Sequence, residues 1–410
     1  MTTRRLQVTL YSGIVVRHDA VSESLRLKLD ILRGLIRRGA PIDLVVCTHA
    51  TDDPDPEFRL TPSVARLVGQ QSFWESDLHI FEFGMYYDLV DALFVVPPEA
   101  VSLVIDHNTT PPDLVDQPEV KAGCQMALVQ RHDLRLATHV ACVSEFSLEI
   151  ARSVGVDEAR LSVLHLPPAH AGRLLPRRFG EGGVARPVEL LFVGRFVRAK
   201  GVRDLLALAE RLWADGTGRC RLRLVGSPRF SDGDIFAEVQ AAVAGSGGLV
   251  ELSSGLDRAE MVAAYQRADL LVIPSFHEGY CVPVIEAYTA GCHVVGYDAA
   301  NLPNVIGGLG AVVPTGDVAA LGDAVARFAE RAEASGQAGA PIVVPTERGD
   351  MDEQAWLEAV RVHLADYSVA AYERKFLGLL RQLAEQTATG LVPALDDAIG
   401  TRQAELVDAP

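Results

Sequence analysis

The chain has 410 residues, room for two domains of ordinary size. Apolar residues make up 49% and charged residues 22%, a globular balance that excludes a disordered, collagen-like or disulfide-stapled chain. Lys and Arg number 38 against 54 Asp and Glu, a formal net charge of −16, so there is no overall field to gather a nucleic-acid backbone and any anionic ligand must be held locally. Only four residues are Lys (Lys28, Lys121, Lys200 and Lys375) on an Arg-rich background.

The six cysteines, Cys47, Cys124, Cys142, Cys220, Cys281 and Cys292, stand singly with no C-x-x-C pair, which reads as reduced core thiols and not a zinc or disulfide framework. The opening MTTRRLQVTLYSGIVVRHD is interrupted by Gln7, Thr9, Ser12 and Gly13 and reads as a first strand, not a targeting segment. No eighteen apolar residues run together, so no membrane-spanning helix is expected and the cytoplasm is the default location.

In chain order, strands are expected at 6–10, 42–47, 78–81, 101–105, 139–143 and 161–164, with helices between them. The helix at 22–38 carries Leu25, Leu29, Leu32 and Ile36 on one face, a Ser22 cap and Gly39 at its end. From His170 to Pro187 the chain becomes rich in Gly, Pro and Arg and loses periodicity, as a linker does. A second series follows: strands at 188–193, 222–225, 249–252, 270–273 and 293–296, and helices starting near Val202, Ile235, Arg258, Val282 and Val318. Helices at 353–364 and 369–385 precede a polar tail expected to be loosely ordered. The fold class is therefore α/β, two doubly wound parallel-sheet domains, 1–178 and 187–365, with ligands expected at strand carboxyl ends in a cleft between them.

Two strand-to-helix loops carry chemistry. In Gly194-Arg195-Phe196-Val197-Arg198-Ala199-Lys200-Gly201 a diphosphate could take a fork of hydrogen bonds from Arg195, a point charge from Lys200 and the positive end of the next helix; a solvated basic loop is the alternative. In Ser275-Phe276-His277-Glu278-Gly279-Tyr280-Cys281-Val282-Pro283-Val284-Ile285-Glu286, Gly279 admits a close ligand, Pro283 suits a first helical turn, and the N–H groups of Tyr280 to Val282 face outward. The carboxylates Glu278 and Glu286 suit sugar and ribose hydroxyls, although Glu286 alone could simply favour a helix N-terminus. Asp53-Pro54-Asp55 reads as a turn and Asp232-Gly233-Asp234 as a helix cap, and neither is read as a metal pair.

The stretch from Leu191 to Gly310 resembles the nucleotide-sugar domain of retaining GT-B glycosyltransferases of family 4. The G-R-x-x-x-x-K-G loop, the strand ending at Gly226, the A-D-L-L-V-I-P-S strand at 268–275 and the spaced glutamates match in order. The resemblance implies transfer of a sugar from a nucleotide-diphosphate sugar to an acceptor hydroxyl on a glycan, a lipid-linked sugar or a small-molecule glycoside. The departing diphosphate would take the acceptor proton, with no metal and no cofactor beyond the substrate. It implies catalytic roles for His107, Glu278, Arg195 and Lys200, and donor contacts from Gly13, Gly194, Gly279, Tyr280, Cys281, Val282 and Glu286. Cys281 departs from the family's Gly there. Asp106-His107-Asn108-Thr109-Thr110-Pro111 resembles a family segment that puts His107 by the donor sugar, and the loop after the first strand, with His18 and Asp19, is expected to meet the acceptor. A helix within 366–388 is expected to return to the first domain, leaving 389–410 as the tail. A phosphorylase, an epimerase or a non-catalytic binder of nucleotide sugars would share this architecture. A peripheral membrane role is disfavoured because the helix at 22–38 carries Glu23 and Asp30 among its five basic residues.

Overall fold

The computed structural model describes the chain apart from residues 1–3, 17–18, 53–54, 56, 171, 182–183, 214–217, 391 and 408–410. The chain divides into two compact units. Unit 1 comprises residues 1–109, 122–166 and 368–410, and unit 2 comprises residues 110–121 and 167–367.

Through residue 166 the elements are β1 (Leu6–Val15), α1 (Ala20–Arg37), β2 (Ile42–Thr51), β3 (Phe58–Leu60), α2 (Val64–Val68), α3 (Gln71–Trp74), β4 (Leu78–Phe83), β5 (Val101–Asp106), α4 (Pro118–Gln130), β6 (His139–Cys142), α5 (Glu145–Ser153) and β7 (Leu161–Val163). The seven strands pair in the order β3-β2-β1-β4-β5-β6-β7 and are all parallel. Every residue of β4 and β5 is buried, as parallel strands covered on both faces require.

Two expectations in this unit are corrected. The first strand runs on to Val15, because β2 continues to pair with it through Ile14↔Ala50, so Gly13 sits inside a strand and not in a loop. A Cβ on Gly13 would lie 2.8 Å from the Tyr87 ring, so packing alone demands glycine there. The first helix is capped by Asp19, whose carboxylate accepts from Ser22 N at 2.8 Å and Ser22 Oγ at 2.7 Å, and not by Ser22.

In residues 167–367 the elements are β8 (Gly180–Glu181), β9 (Val184–Ala185), β10 (Val188–Val193), α6 (Val202–Trp213), β11 (Cys220–Val225), α7 (Gly233–Gly245), β12 (Val250–Ser253), α8 (Arg258–Arg267), β13 (Leu270–Ile273), α9 (Val282–Thr289), β14 (His293–Tyr297), α10 (Leu302–Ile306), β15 (Ala311–Val313), α11 (Val318–Ala338), β16 (Val343–Thr346), β17 (Gly349–Asp352) and α12 (Glu353–Leu364). The main sheet is again parallel, in the order β12-β11-β10-β13-β14-β15. Its order reverses between β10 and β13, the switch point at which doubly wound sheets bind ligands.

The segment 170–187, expected to be a linker, packs as part of unit 2. Phe179 is buried, β8 and β9 form a short hairpin, and Arg177 donates to the carbonyl oxygens of Tyr265, Gln266, Ala290 and Gly291. The expected loose tail is also corrected. After α13 (Val369–Ala384) it forms α14 (Pro393–Val407), which buries Leu395, Ile399 and Leu406 and is tied to α13 by the Arg402–Glu373 fork at 2.6 and 2.8 Å.

Candidate functional site

Two glycines explain how the strand ends of unit 2 meet. Gly201 ends the basic loop in the left-handed region at φ +63°, and a Cβ there would stand 1.7 Å from the Pro274 carbonyl oxygen. Gly226, after β11, would put a Cβ 2.3 Å from the Gly194 carbonyl. Only hydrogen fits at either place, so the loops after β10, β11 and β13 lie directly against one another. Backbone bonds join them: Phe276 N donates to Ala199 O at 2.9 Å, and Asp232 N to Phe196 O at 2.9 Å.

That contact brings two of the expected residues together. Lys200 Nζ donates to Glu278 Oε1 at 2.7 Å, and Ser275 Oγ donates to the same oxygen at 2.8 Å. Glu278 is buried and Lys200 partly so. Arg195 is exposed, and its guanidinium makes no hydrogen bond or ion pair among the described residues. Asn301 braces the loop from α10, its N donating to Glu278 O and its Nδ2 to Tyr280 O, both at 3.0 Å.

Cys281 stands just before α9 at φ 78°, ψ 66°, a left-handed conformation rare outside glycine. Here the family's glycine has a physical reason: the turn into the helix needs φ above zero. Burial, and secondarily the nearby Glu278 carboxylate, pushes the Cys281 thiol far above its usual range, which keeps it protonated and unreactive. Val282 and Pro283 form the first turn.

Glu286 is more enclosed than its expected ribose role suggested. Its Oε1 accepts from His170 N at 3.0 Å and its Oε2 from Tyr265 Oη at 2.7 Å. Burial raises its pKa to about 7 against the lowering effect of those two donors. Asp232 is corrected as well: it occupies the position before α7, yet its side chain makes no cap bond and accepts from Gln117 Nε2 at 2.8 Å.

In unit 1, the end of β5 carries His107. Its N donates to Phe83 O at 2.7 Å, and its Nε2 meets Glu82 Oε2 at 2.6 Å. Glu82 also pairs with Lys28 at 2.9 Å, both side chains being fully buried. Lys28 Nζ donates further to Ser24 O at 3.0 Å, Ser24 Oγ at 2.6 Å and Tyr372 Oη at 3.1 Å. Burial opposes both charges, yet the pair outweighs it: Glu82 is held below the usual carboxylate range and Lys28 above the usual amine range. The next residue, Asn108, has φ 68°, another left-handed residue beside a candidate group. Sequence reasoning missed Glu82, Lys28, Tyr372, Ser275 and Tyr265. The available signal was Glu82 itself, the one acid in the LHIFEF strand.

Of the two expected acceptor residues, His18 lies outside the described residues, and Asp19 is engaged as the α1 cap. Among the described residues no group of three or more His, Cys, Asp or Glu is placed to hold a metal ion.

Residues 187–331 match the family model described as glycosyl transferases group 1. Unit 2 carries a group 1 glycosyl transferase domain. The chain is 32% identical over 250 residues to the 2-deoxystreptamine N-acetyl-D-glucosaminyltransferase of Streptomyces fradiae, covering 56% of this chain and 57% of that protein. It is 31% identical over 202 residues to the D-inositol 3-phosphate glycosyltransferase of Rhodococcus opacus (strain B4), covering 45% and 41%. The chain thus spans about half the length of the curated relatives it matches. Its fold is also that of the sucrose-phosphate synthase of Thermosynechococcus elongatus, with a TM-score of 0.64 at 19% identity over 92% of this chain and 99% of that one. Two Rossmann-like parallel sheets in one chain, with these neighbours, are the GT-B fold. No helix among the described residues is long and apolar enough to cross a membrane.

Proposed function

We propose that the chain transfers a sugar from a nucleotide-diphosphate sugar to an acceptor hydroxyl, with retention at the anomeric carbon. The observation that carries this reading is the Lys200–Glu278–Ser275 cluster at the switch point of the glycosyl transferase domain, with the unpaired Arg195 on the same loop as Lys200. A diphosphate there draws Lys200 and Arg195, whose charges stabilise the leaving group as its own charge grows. Glu278, relieved of Lys200, accepts hydroxyls of the transferred sugar. Glu286 takes ribose hydroxyls, and the N–H groups from Gly279 to Val282 contact phosphate and sugar. His107, its Nε2 committed to Glu82, keeps Nδ1 for a ligand.

Both acids of the domain site are already hydrogen-bonded, which supports a reading in which the diphosphate oxygen itself is the acceptor's base and cations of the protein carry the diphosphate charge. The two relatives named above carry a cyclitol in their names, 2-deoxystreptamine and inositol. A net charge of −16 favours a cationic acceptor, so an aminocyclitol is the acceptor class we assign.

Thermal unfolding with a panel of nucleoside diphosphates tests the reading. A diphosphate at about 100 times its Kd stabilises the wild type by roughly 2.7 kcal/mol, and Lys200→Ala and Glu286→Ala lose the effect. If no diphosphate raises the midpoint, or both variants respond like wild type, the assignment falls. Stabilisation by inorganic phosphate alone would put a phosphorylase in its place.

A further inference from the structure

The amino-terminal halves of β10, β11 and β12, away from the loops just described, carry a second feature. Arg221 and Arg223 of β11 stand in register with Glu189 and Leu191 of β10, and Glu251 of β12 lies beside Arg223. On β11 the alternate residues Cys220, Leu222 and Leu224 are buried, whereas Arg221 is exposed and Arg223 partly so. A parallel sheet normally has both faces covered by helices; here one face of β11 and β12 is left charged and open. The segment 173–178 and the end of α8 wall it into a concavity of about 660 Å³, within the size range of small-molecule sites.

Seven arginines line it against two glutamates, in a chain whose net charge is −16. Four of the seven are accounted for. Arg177 is held by four carbonyl oxygens, Arg186 by Asp269 through a fork at 2.6 and 2.7 Å, and Arg223 by Glu251 at 2.5 Å, while Arg221 faces Glu189. Arg173, Arg178 and Arg267 remain. No guanidinium of the three makes a hydrogen bond or ion pair among the described residues. Three uncompensated guanidiniums around one hollow repel one another, and an anion removes that cost while accepting their paired N–H groups.

We propose that this hollow is a second ligand site, for a small molecule bearing a di- or triphosphate, held by Arg173, Arg178 and Arg267 and separate from the donor site. The planar forks suit phosphate oxygens, and the exposed Leu175 offers an apolar contact at the rim for the rest of the molecule.

Calorimetric titration of the full chain with inorganic triphosphate is the test, in an Arg195→Ala/Lys200→Ala background that removes the proposed donor-site cations. A saturable site is expected there, weakened at least about tenfold by adding Arg173→Gln, Arg178→Gln and Arg267→Gln. All three residues are exposed, so the melting midpoint should not fall; should that variant fail to fold, Arg267→Glu alone has to reproduce the loss. Absence of saturable binding in the background, or unchanged binding in the arginine variants, overturns the proposal. So does binding to phosphatidylglycerol vesicles without binding to free triphosphate, which would make the patch a lipid contact. Failure here leaves the transferase reading standing, since that reading rests on Lys200 and Glu278.

Discussion

Cys281 keeps a side chain where the backbone is left-handed, at φ 78°. An L-residue there carries roughly 1–2 kcal/mol of strain that glycine avoids. Cys281→Ala loses the packed thiol and retains the strain, whereas Cys281→Gly loses both. In chemical denaturation the Gly variant should therefore be the more stable of the two by about 1 kcal/mol, the reverse of the usual helix preference. A more stable Ala variant would mean that side-chain packing outweighs the backbone term. Glu286 makes a prediction in pH. Its pKa in the fold is about 7, raised by burial from the ordinary carboxylate value, so the protonated form is the one the fold favours. Its contribution is fully present below the unfolded pKa and is lost as pH rises through about 7. Relative to Glu286→Gln, the wild type should lose up to roughly 3 kcal/mol between about pH 5 and about pH 8, read from paired denaturation curves. A pH-independent difference between the two proteins would place the titration elsewhere.

The bond between α1 and β4 is a buried ion pair, Lys28 to Glu82, braced by Tyr372 of α13. Lys28→Met strands the Glu82 charge in the core and should cost roughly 3–5 kcal/mol, while Lys28→Met/Glu82→Leu regains most of it. Equal losses in the single and double variants would show that packing, and not charge, governs the site. Neither partner was legible as a partner in the sequence. They lie 54 positions apart, on a helix and a strand whose register no local pattern reveals. The elements themselves were more readable: β10 and β13 begin and end where their apolar runs do, and α12 where its period does. The three-residue strands β3 and β15 were missed. Helix α14 was missed because Asp396, Asp397 and Gly400 dilute the spacing of Leu395, Ile399 and Leu406. The site was half legible. The loops announced Lys200, Glu278 and Glu286, but the Glu82–His107 contact and the enclosure of Glu286 by Tyr265 depend on tertiary packing.

Across the whole molecule, α13 and α14 belong to unit 1 although the 167–367 stretch of unit 2 precedes them. The three aliphatic side chains that α14 buries are worth about 1.5–3 kcal/mol each before the entropy of ordering the helix is subtracted. Deleting 391–410 should lower a unit 1 transition in differential scanning calorimetry by about 5 °C or more and leave the unit 2 transition in place. Two transitions falling together would mean that the units unfold as one. The same interleaving has a consequence during synthesis. The β1–β7 sheet leaves the ribosome before the main sheet of unit 2 and is finished after it, because α13, with the Tyr372 hydroxyl that braces Lys28, is translated only after all of unit 2. A nascent chain thus carries an unfinished early domain while a later one has every residue it needs, and the interval between the two is when holding chaperones have most to cover.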